Sequence, residues 1–370
     1  MNARSMEALV LHQVGDHRWE TVPVPEPGPG EVRIRVAYCG VCGSDIPRVF
    51  KKGTYHFPTI CGHEFAGVID TCGADVTTCR PGDPVAVFPL IWCGKCPACE
   101  VGQYPSCEKY NYLGSRCDGG FAEYVVAPVK NLLPVPPGVS LEEAAMTEPA
   151  AVALHALRRG GGVSPGETIA IFGAGPIGIM LAQWARSSGA SQIVLFDIDP
   201  GKLELARSAG FTQVFHTHEH PPVKTINRLT SEHGAHLCIE AAGVPLTLAQ
   251  AIEAARWNGR VVLMGNPSAD VVLPAALISQ AMRREISLHG TWNSVYSATG
   301  NDNDWTTALQ AMANGQLTLK SLITHTLPLS HGVQAFEMIR DRTAFSAKVL
   351  IGNGVPRQRH THGKNTKGVS

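Results

Sequence analysis

Two short runs near the N-terminus combine sulfur, nitrogen and oxygen donors. The first reads Cys-Gly-Val-Cys-Gly-Ser-Asp at residues 39–45, and the second reads Cys-Gly-His-Glu at residues 61–64. Three protein ligands and one open position are typical of a catalytic zinc site, whereas four ligands close a structural site. The candidate donors are the Cys42 thiolate, the His63 imidazole and the carboxylates of Asp45 and Glu64. A single cysteine or histidine is more commonly just buried, so this interpretation depends on the rest of the chain.

Four further cysteines form a second candidate metal site with the spacing C-x2-C-x2-C-x7-C. They are Cys93, Cys96, Cys99 and Cys107. The short steps let the backbone present successive thiolates to one tetrahedral ion, and the longer step returns the chain to close the site. An iron–sulfur cluster also takes four thiolates. We favour a structural zinc ion, because nothing else in the sequence suggests electron transfer.

A glycine-rich turn lies between a short apolar run and a helical segment in the second half of the chain. It reads Gly-Ala-Gly-Pro-Ile-Gly at residues 173–178, after the apolar residues 169–172. This is the context that a dinucleotide-binding fingerprint requires. We expect Gly173 to permit the turn, Gly175 to let the backbone approach a pyrophosphate, and Gly178 to allow close packing of helix on strand.

An acidic residue follows this turn at the distance expected for contact with a cofactor ribose. Asp197 ends the next apolar run, 19 residues after Gly178. Its carboxylate can accept hydrogen bonds from the adenosine ribose and would repel a 2′-phosphate, so the sequence favours NAD over NADP. The remaining candidate cofactor contacts are Pro176, Ile177 and Lys202.

The bulk composition excludes several classes of protein. The chain has 370 residues, which exceeds the usual size of a single core and predicts two domains. Lys plus Arg and Asp plus Glu are both 31, so no basic field predicts a nucleic-acid or membrane partner. The apolar run 8–11 is too short for a signal peptide, and we expect a cytoplasmic protein. Reduced thiols in that compartment favour metal binding over disulfides.

The coarse pattern of the chain changes near Glu148-Pro149. Before this pair, short alternating strands separated by Pro-Gly turns predict a partly open β-barrel. Residues 144–159 are predicted to form a helix, and after Glu167 short apolar runs alternate with helical segments. That alternation is typical of a doubly wound α/β fold with a parallel sheet. Six strands are predicted in this sheet, at residues 168–172, 192–196, 213–215, 237–240, 260–264 and 286–289.

These features together resemble the zinc-dependent medium-chain dehydrogenases, a family that includes alcohol, sorbitol and threonine dehydrogenases. The resemblance extends over about residues 6–352 and rests on the Cys-Gly-Val-Cys-Gly-Ser-Asp run, the Gly-His-Glu triplet and the four-cysteine lobe. It implies a GroES-like β-barrel catalytic domain with both zinc sites at residues 1–152 and 291–352, and a Rossmann NAD-binding domain at residues 153–290. Residues 353–370 would form a flexible tail. The resemblance also implies a homodimer or homotetramer joined through the cofactor domains.

The resemblance further implies which residues hold the catalytic zinc ion. In members that oxidise polyols, the ligands are the equivalents of Cys42, His63 and the glutamate of a Glu-Pro pair, here Glu148. Glu64 would be a near or alternating ligand. The expected reaction is hydride transfer to NAD from a hydroxyl group that zinc has made more acidic.

Two residues of the first run are candidates for supporting this reaction. The Ser44 hydroxyl can accept a proton from the substrate and donate one onward, so it is the candidate first proton relay. Asp45 is expected to orient His63. Many alcohol dehydrogenases continue the relay with a histidine at the position of Pro47. The next step therefore stays open between Glu64, a cofactor ribose hydroxyl and water.

A looser resemblance predicts the substrate class. Segments 43–51, 114–124 and 290–294 are similar to those of family members that oxidise a secondary hydroxyl of a sugar-alcohol phosphate, such as galactitol 1-phosphate, to the ketose phosphate. The alternatives are a free polyol of the sorbitol or xylitol type, another secondary alcohol, or a non-enzymatic NAD-binding protein on the same scaffold. Lys52 is interpreted as a solvated surface charge. The candidate phosphate contacts are Arg48, Lys51 and Arg116.

Overall fold

The computed structural model of the chain describes residues 4–297 and 303–353. The tail predicted at residues 353–370 lies outside the described residues, except for Asn353. In the described part of the chain, no helix has the length and apolar character needed to cross a membrane.

Eighteen strands and eleven α-helices form within the described ranges. The strands are β1 Ser5–Gln13, β2 Asp16–Pro23, β3 Glu31–Gly40, β4 Thr59–Ile60, β5 Glu64–Cys72, β6 Pro84–Val87, β7 Leu90–Ile91, β8 Asn111–Tyr112, β9 Tyr124–Pro128, β10 Leu132–Pro134, β11 Thr168–Phe172, β12 Gln192–Asp197, β13 Val214–His216, β14 Ala235–Glu240, β15 Ala255–Leu263, β16 Ser287–Gly290, β17 Ile323–Pro328 and β18 Lys348–Gly352. The helices are α1 Asp45–Pro47, α2 Pro97–Glu100, α3 Leu141–Ala144, α4 Thr147–Arg159, α5 Pro176–Ser187, α6 Pro200–Ser208, α7 Pro222–Leu229, α8 Pro245–Ala254, α9 Ala275–Arg283, α10 Asp304–Ala313 and α11 Gly332–Asp341.

The N-terminal strands and the last two strands of the chain form the predicted GroES-like barrel. Its main sheet has the order β10-β6-β5-β3-β18-β17, with β9 also paired to β3, and a smaller sheet has the order β2-β1-β4. Strand β3 is central, because it pairs antiparallel with β5, β9 and β18. Its buried side chains Val32, Ile34 and Val36 pack in one core with Phe65 and Phe121.

The register of the barrel strands brings the two donor-bearing runs together. Gly40 at the end of β3 pairs with Glu64 at the start of β5, and Leu350 of β18 pairs with Gly40 on its other side. Residues just after β3 and just before β5 therefore lie side by side. A Cβ at position 40 would collide with the Glu64 carboxylate, which Lys348 holds in place, so glycine is favoured there.

The six strands predicted for the second half of the chain are confirmed, and they form one parallel sheet. Its order is β13-β12-β11-β14-β15-β16, which is that of the doubly wound dinucleotide-binding fold. The central strand β11 is buried along its whole length, as expected for a strand covered by helices on both faces. Strand β15 begins at Ala255 instead of residue 260, and its first part contains Asn258, whose φ is 55°.

The helix predicted at residues 144–159 is in fact divided. Ser140 caps the short helix α3 through a capping box, and the chain begins a new helix, α4, at Thr147. The Trp184 indole N–H of α5 donates to a carbonyl in the first turn of α4 at 2.9 Å. This bond holds the Glu148 end of α4 between the barrel and the parallel sheet. The bounds of the two domains stay a prediction.

Candidate active site

A sulfur, a ring nitrogen and a carboxylate oxygen converge where β3 ends and β5 begins. The donor atoms of Cys42, His63 and Glu64 all lie within 4.8 Å of one another. Cys42 is partly exposed, whereas His63 and Glu64 are buried. The structure thus brings together three of the four residues predicted to hold a catalytic zinc ion.

Asp45 connects the first run to His63 through a buried carboxylate. The Cys42 backbone N–H donates to its Oδ2 at 3.0 Å, and Arg48 donates to its Oδ1. The same Oδ1 lies 3.5 Å from His63 Nδ1. Burial alone would raise the pKa of Asp45, but the charges of His63 and Arg48 outweigh it and lower that pKa. An ionised Asp45 favours a proton on Nδ1 of His63, which leaves Nε2 for a metal ion.

Glu64 is held by a lysine from the far end of the chain. Lys348 Nζ, at the start of β18, donates to Glu64 Oε2 at 2.6 Å, and both side chains are almost fully buried. Burial alone would lower the pKa of Lys348, but the charges of Glu64 and Cys42 raise it. One oxygen of Glu64 is therefore engaged by an ammonium group, which leaves the other for a metal ion or a substrate.

Glu148, the fourth predicted ligand, lies beside this cluster. Among the described residues it is not part of the group whose donor atoms all lie within 4.8 Å of one another. It is buried in the first turn of α4. Burial, followed by repulsion from Glu64, raises the pKa of Glu148 to about 7 against the opposing charge of His63. Which of the two glutamates is the resting ligand stays a prediction.

The donor set around Cys42 fits a zinc ion. Thiolate sulfur, imidazole nitrogen and carboxylate oxygen are the ordinary ligands of zinc, and three of them leave a fourth position open. The Ser44 hydroxyl and backbone N–H both donate to Cys42 Sγ, at 3.2 and 3.4 Å. Two donors directed at one sulfur orient it as a ligand. Ser44 itself is exposed, so its hydroxyl is accessible to a substrate.

The glycine-rich turn has the shape of a pyrophosphate-binding site. Gly173 has a φ of 114°, in the left-handed region that favours glycine. A Cβ on Gly178 would collide with the Gly173 carbonyl, whereas a Cβ on Gly175 would meet open space. Pro176 and Ile177 form the first turn of α5, whose N-terminus has no side-chain cap. The open space beside Gly175 and the uncapped N–H groups fit an anionic group.

Asp197 lies at the end of β12, next to this turn. Its carboxylate accepts hydrogen bonds from the backbone N–H groups of Ala174 at 2.8 Å, Ile198 at 2.8 Å and Asp199 at 3.0 Å. Lys202 Nζ lies 3.8 Å from the same carboxylate. These contacts hold a negative charge at the position predicted to face the adenosine ribose.

The four-cysteine lobe also brings its thiols together. The donor atoms that lie within 4.8 Å of one another are those of Cys93, Cys96, Cys99 and Cys107. Backbone N–H groups of Glu108 and Cys99 lower the pKa of Cys96 to about 6, which favours a thiolate. All eleven cysteines of the chain fall within the described ranges, and every one is free. Four clustered thiols without a disulfide fit a structural zinc ion.

The three candidate phosphate contacts lie in different surroundings. Arg48 donates to the buried Asp45, so its charge is compensated within the protein. Lys51 is exposed. Arg116 is partly buried between two tyrosine rings. The structure therefore distinguishes Arg116 from the other two, and the substrate role of all three stays a prediction.

Two residues of the site were not identified from the sequence. Lys348 lies 284 positions from its partner Glu64, so only the pairing of β18 with β3 reveals it. Tyr112 lies in β8, with its ring centroid 5.9 Å from that of His63. Burial, followed by the charge of Glu148, raises the pKa of Tyr112 well above its usual range. The alternation of tyrosines at positions 110 and 112 was the only local signal for this residue.

Two sequence families match the chain where these sites lie. Residues 28–137 match the family described as alcohol dehydrogenase GroES-like domain, and residues 176–315 match the family described as zinc-binding dehydrogenase. The first range contains both clusters of metal donors, and the second begins within the glycine-rich turn.

Proteins of known activity are similar to the chain over most of its length. Galactitol 1-phosphate 5-dehydrogenase of Escherichia coli is 38% identical over 321 residues, which cover 87% of this chain and 92% of that protein. The crystal structure of galactitol-1-phosphate dehydrogenase from Escherichia coli has a TM-score of 0.87 and 37% identity, and covers 94% of this chain and 99% of that one. Sorbitol dehydrogenase of Bacillus subtilis is 33% identical over 354 residues, 94% of this chain and 97% of that protein. The chain therefore belongs to the zinc-binding, medium-chain family of alcohol and polyol dehydrogenases, which are oxidoreductases.

Proposed function

We propose that the protein is a zinc- and NAD-dependent dehydrogenase that oxidises a secondary hydroxyl of a sugar-alcohol phosphate, of the galactitol 1-phosphate kind, to the ketose phosphate. The observation that carries the proposal is the convergence of Cys42, His63 and Glu64 within 4.8 Å. The named substrate of the Escherichia coli relative supports the substrate class. The alternative is a free polyol, because a sorbitol dehydrogenase is also similar. A cytoplasmic location stays a prediction.

The metal would be held by Cys42, His63 and one of two glutamates. Glu148 is the proposed third ligand, and Glu64, which is engaged by Lys348, is the near or alternating one. A bound zinc ion supplies Lewis acidity, which lowers the pKa of a substrate hydroxyl. The protein residues around it must then orient the ligands and remove a proton.

Ser44 would remove the proton, and Asp45 would orient a ligand. The Ser44 hydroxyl, which lies 3.2 Å from Cys42 Sγ, accepts the proton of the substrate hydroxyl. Because Ser44 is exposed, water is the favoured next acceptor. Asp45 holds the His63 ring in place, so that Nε2 faces the metal position.

The parallel sheet would position the cofactor. The open space at Gly175 would take the pyrophosphate, with Gly173 and Gly178 shaping the turn. NAD supplies the hydride acceptor. Asp197 would accept hydrogen bonds from the adenosine ribose, and its charge opposes a 2′-phosphate. Lys202, 3.8 Å from that carboxylate, would help to hold it in place.

The proposed assembly is a homodimer or homotetramer joined along the edge of the parallel sheet. Strand β16 is the last strand of this sheet, and no strand of the described ranges pairs with its outer edge. Symmetric pairing of two such edges would continue the sheet and cover the apolar side chains around it. The exposed apolar residues near this edge are Trp257, Met282, Leu288 and Trp292.

The two metal sites predict two zinc ions per chain with different roles. In Cys42→Ser, loss of one ion should abolish turnover while the melting temperature changes little. In Cys107→Ser, loss of the other ion should lower the melting temperature, because structural zinc contributes directly to folding free energy. Metal analysis by mass spectrometry and thermal unfolding measure these effects. Retention of both ions in Cys42→Ser would contradict the assigned ligand.

The substrate class predicts a preference for a phosphorylated polyol. With zinc-replete protein and NAD, kcat/KM for galactitol 1-phosphate should exceed that for galactitol and sorbitol by about 10- to 100-fold, the contribution of hydrogen bonds to a charged group. NADH formation measures the rates, and a chelator should abolish them. Comparable or faster oxidation of the free polyols would favour the sorbitol type of activity. No turnover of any of the three would refute the polyol assignment.

Asp197 should determine the cofactor preference. In Asp197→Ser, kcat/KM with NAD should fall about tenfold, and the preference for NAD over NADP should narrow, because the ribose acceptor and the repelling charge are both lost. Glu204→Gln is the matched control, since Glu204 is 71% exposed and also lies near this end of the sheet, in α6. An unchanged ratio of NAD to NADP activity in Asp197→Ser would refute the role of Asp197 in cofactor preference.

The sheet edge predicts a change of assembly on charge insertion. Met282 is 74% exposed and would be covered by the partner copy at this edge. Met282→Glu should shift the protein toward the monomer, because the symmetric interface would bring the two introduced carboxylates close together. Val101→Glu is the control, since Val101 is 70% exposed but lies in the cysteine lobe. Size-exclusion chromatography with light scattering measures the mass. A wild-type monomer, or an oligomer unaffected by Met282→Glu, would exclude this interface.

A further inference from the structure

The guanidinium group of Arg116 is held by two aromatic rings. Its central carbon lies 4.0 Å from the centre of the Tyr55 ring and 4.3 Å from that of Tyr110. Cation–π contacts of this kind fix an arginine side chain without neutralising its charge. Within the described ranges, the guanidinium donates one long hydrogen bond to a side chain, from Nη2 to the Tyr110 hydroxyl at 3.4 Å. Most of its N–H donors are therefore available to a ligand.

Arg116 lies at the outer part of the candidate active site. The Tyr110 ring is 6.4 Å from that of Tyr112, which in turn is 5.9 Å from that of His63. His56 Nε2 donates to the Arg116 carbonyl at 3.0 Å, which joins the loop before His63 to the loop that contains Arg116. The guanidinium is thus two rings away from the metal-binding histidine, on loops that flank the site.

The charge of Arg116 is not compensated in the way that the neighbouring cations are. Lys348 is bonded to Glu64, and Arg48 is bonded to Asp45. Across residues 4–297 and 303–353, no carboxylate forms a salt bridge with Arg116, whose guanidinium contacts the rings of Tyr55 and Tyr110 and the Tyr110 hydroxyl. A partly buried, fixed cation without a carboxylate partner is suited to an anionic ligand.

We propose that Arg116 binds the phosphate group of the substrate, and that Tyr55 and Tyr110 hold its guanidinium in position. This inference rests on the proposed function and assigns phosphate recognition to one residue of that site. Arginine suits the role, because its planar fork donates two parallel hydrogen bonds to phosphate oxygens and also packs on aromatic rings. The ligand class is a phosphate monoester at the end of a linear polyol, with the reacting hydroxyl further along the chain.

The position of Arg116 agrees with the shape of such a substrate. The carbon chain of the polyol separates the terminal phosphate from the secondary hydroxyl. The rings of Tyr110 and Tyr112 likewise lie between Arg116 and His63. Lys51 and Lys52, by contrast, are exposed. An exposed, flexible lysine loses side-chain entropy on binding and is screened by solvent, so it contributes less to selectivity.

The test compares Arg116→Gln with Lys52→Gln, which removes an exposed charge from a neighbouring segment. In Arg116→Gln, kcat/KM for galactitol 1-phosphate should fall about 10- to 100-fold, mainly through KM, whereas that for galactitol should change less than about twofold. Lys52→Gln should leave both values unchanged. Arg116→Lys should recover part of the loss, since it restores the charge without the fork.

A second measurement uses inorganic phosphate as the probe. Phosphate should inhibit the wild-type enzyme competitively with galactitol 1-phosphate, and its inhibition constant should weaken in Arg116→Gln by a factor similar to the change in KM. Zinc content and the circular dichroism spectrum should stay unchanged in this variant. Should Arg116→Gln fail to fold, Arg116→Lys and Tyr55→Leu provide the same comparison, and both should raise KM for the phosphate ester alone.

The outcomes separate this inference from the proposed function. Equal losses with galactitol 1-phosphate and galactitol would overturn the inference and leave Arg116 as a residue that joins two loops. A phosphate preference that survives Arg116→Gln would overturn it too, while the proposed function would stand. If wild type prefers no phosphate ester, the proposed substrate is wrong. In that case, inhibition by inorganic phosphate that is weaker in Arg116→Gln than in wild type would still support a phosphate site at Arg116. Equal inhibition of wild type and Arg116→Gln would overturn the inference.

Discussion

The buried carboxylates around His63 are the constraint on which the rest of the site depends. Asp45 and Glu64 are fully or almost fully buried, and an unpaired ionised carboxylate in such surroundings destabilises a fold by several kcal/mol. Arg48 compensates the first from the next turn of the same segment, and Lys348 compensates the second from the last strand of the barrel. Both carboxylates have a cationic partner only when β18 has paired with β3. Closure of the barrel and formation of the cluster of Cys42, His63 and Glu64 are therefore coupled.

A third carboxylate reaches this site from a helix that packs on the parallel sheet. Glu148 lies in the first turn of α4, and that helix packs on α5, where the Trp184 indole N–H donates to its first turn. At its other end, Arg158 donates to the buried Asp304 of α10 at 2.7 Å. Helix α4 is thus fixed at both ends by elements outside the barrel. The position of Glu148 beside the cluster therefore depends on how α4 packs against α5 and α10.

Local patterns predicted most of the scaffold and the donors. The inner strands of the parallel sheet were recognisable because they are short, largely apolar runs, as expected for strands buried on both faces. The lobe from Cys93 to Cys107 was recognisable because its spacing is itself the constraint on ligand geometry. Lys348 was not predicted, because its role depends on strand register between residues far apart in sequence. The partner of Arg48 was missed for a different reason, since a surface-like cation three positions from Asp45 is equally compatible with binding a substrate.

Substrate choice depends on a different part of the molecule from the chemistry. The chain is similar over most of its length both to a galactitol 1-phosphate dehydrogenase and to a sorbitol dehydrogenase, so the fold alone does not decide between phosphorylated and free polyols. The two substrate classes differ by a phosphate group, whose recognition requires a cation that no protein carboxylate already neutralises. Arg48 and Lys348 already compensate buried carboxylates, so they are less suited to this requirement. On the proposed function, selectivity for phosphate would come from the outer loops, where Arg116 lies apart from the cluster of Cys42, His63 and Glu64.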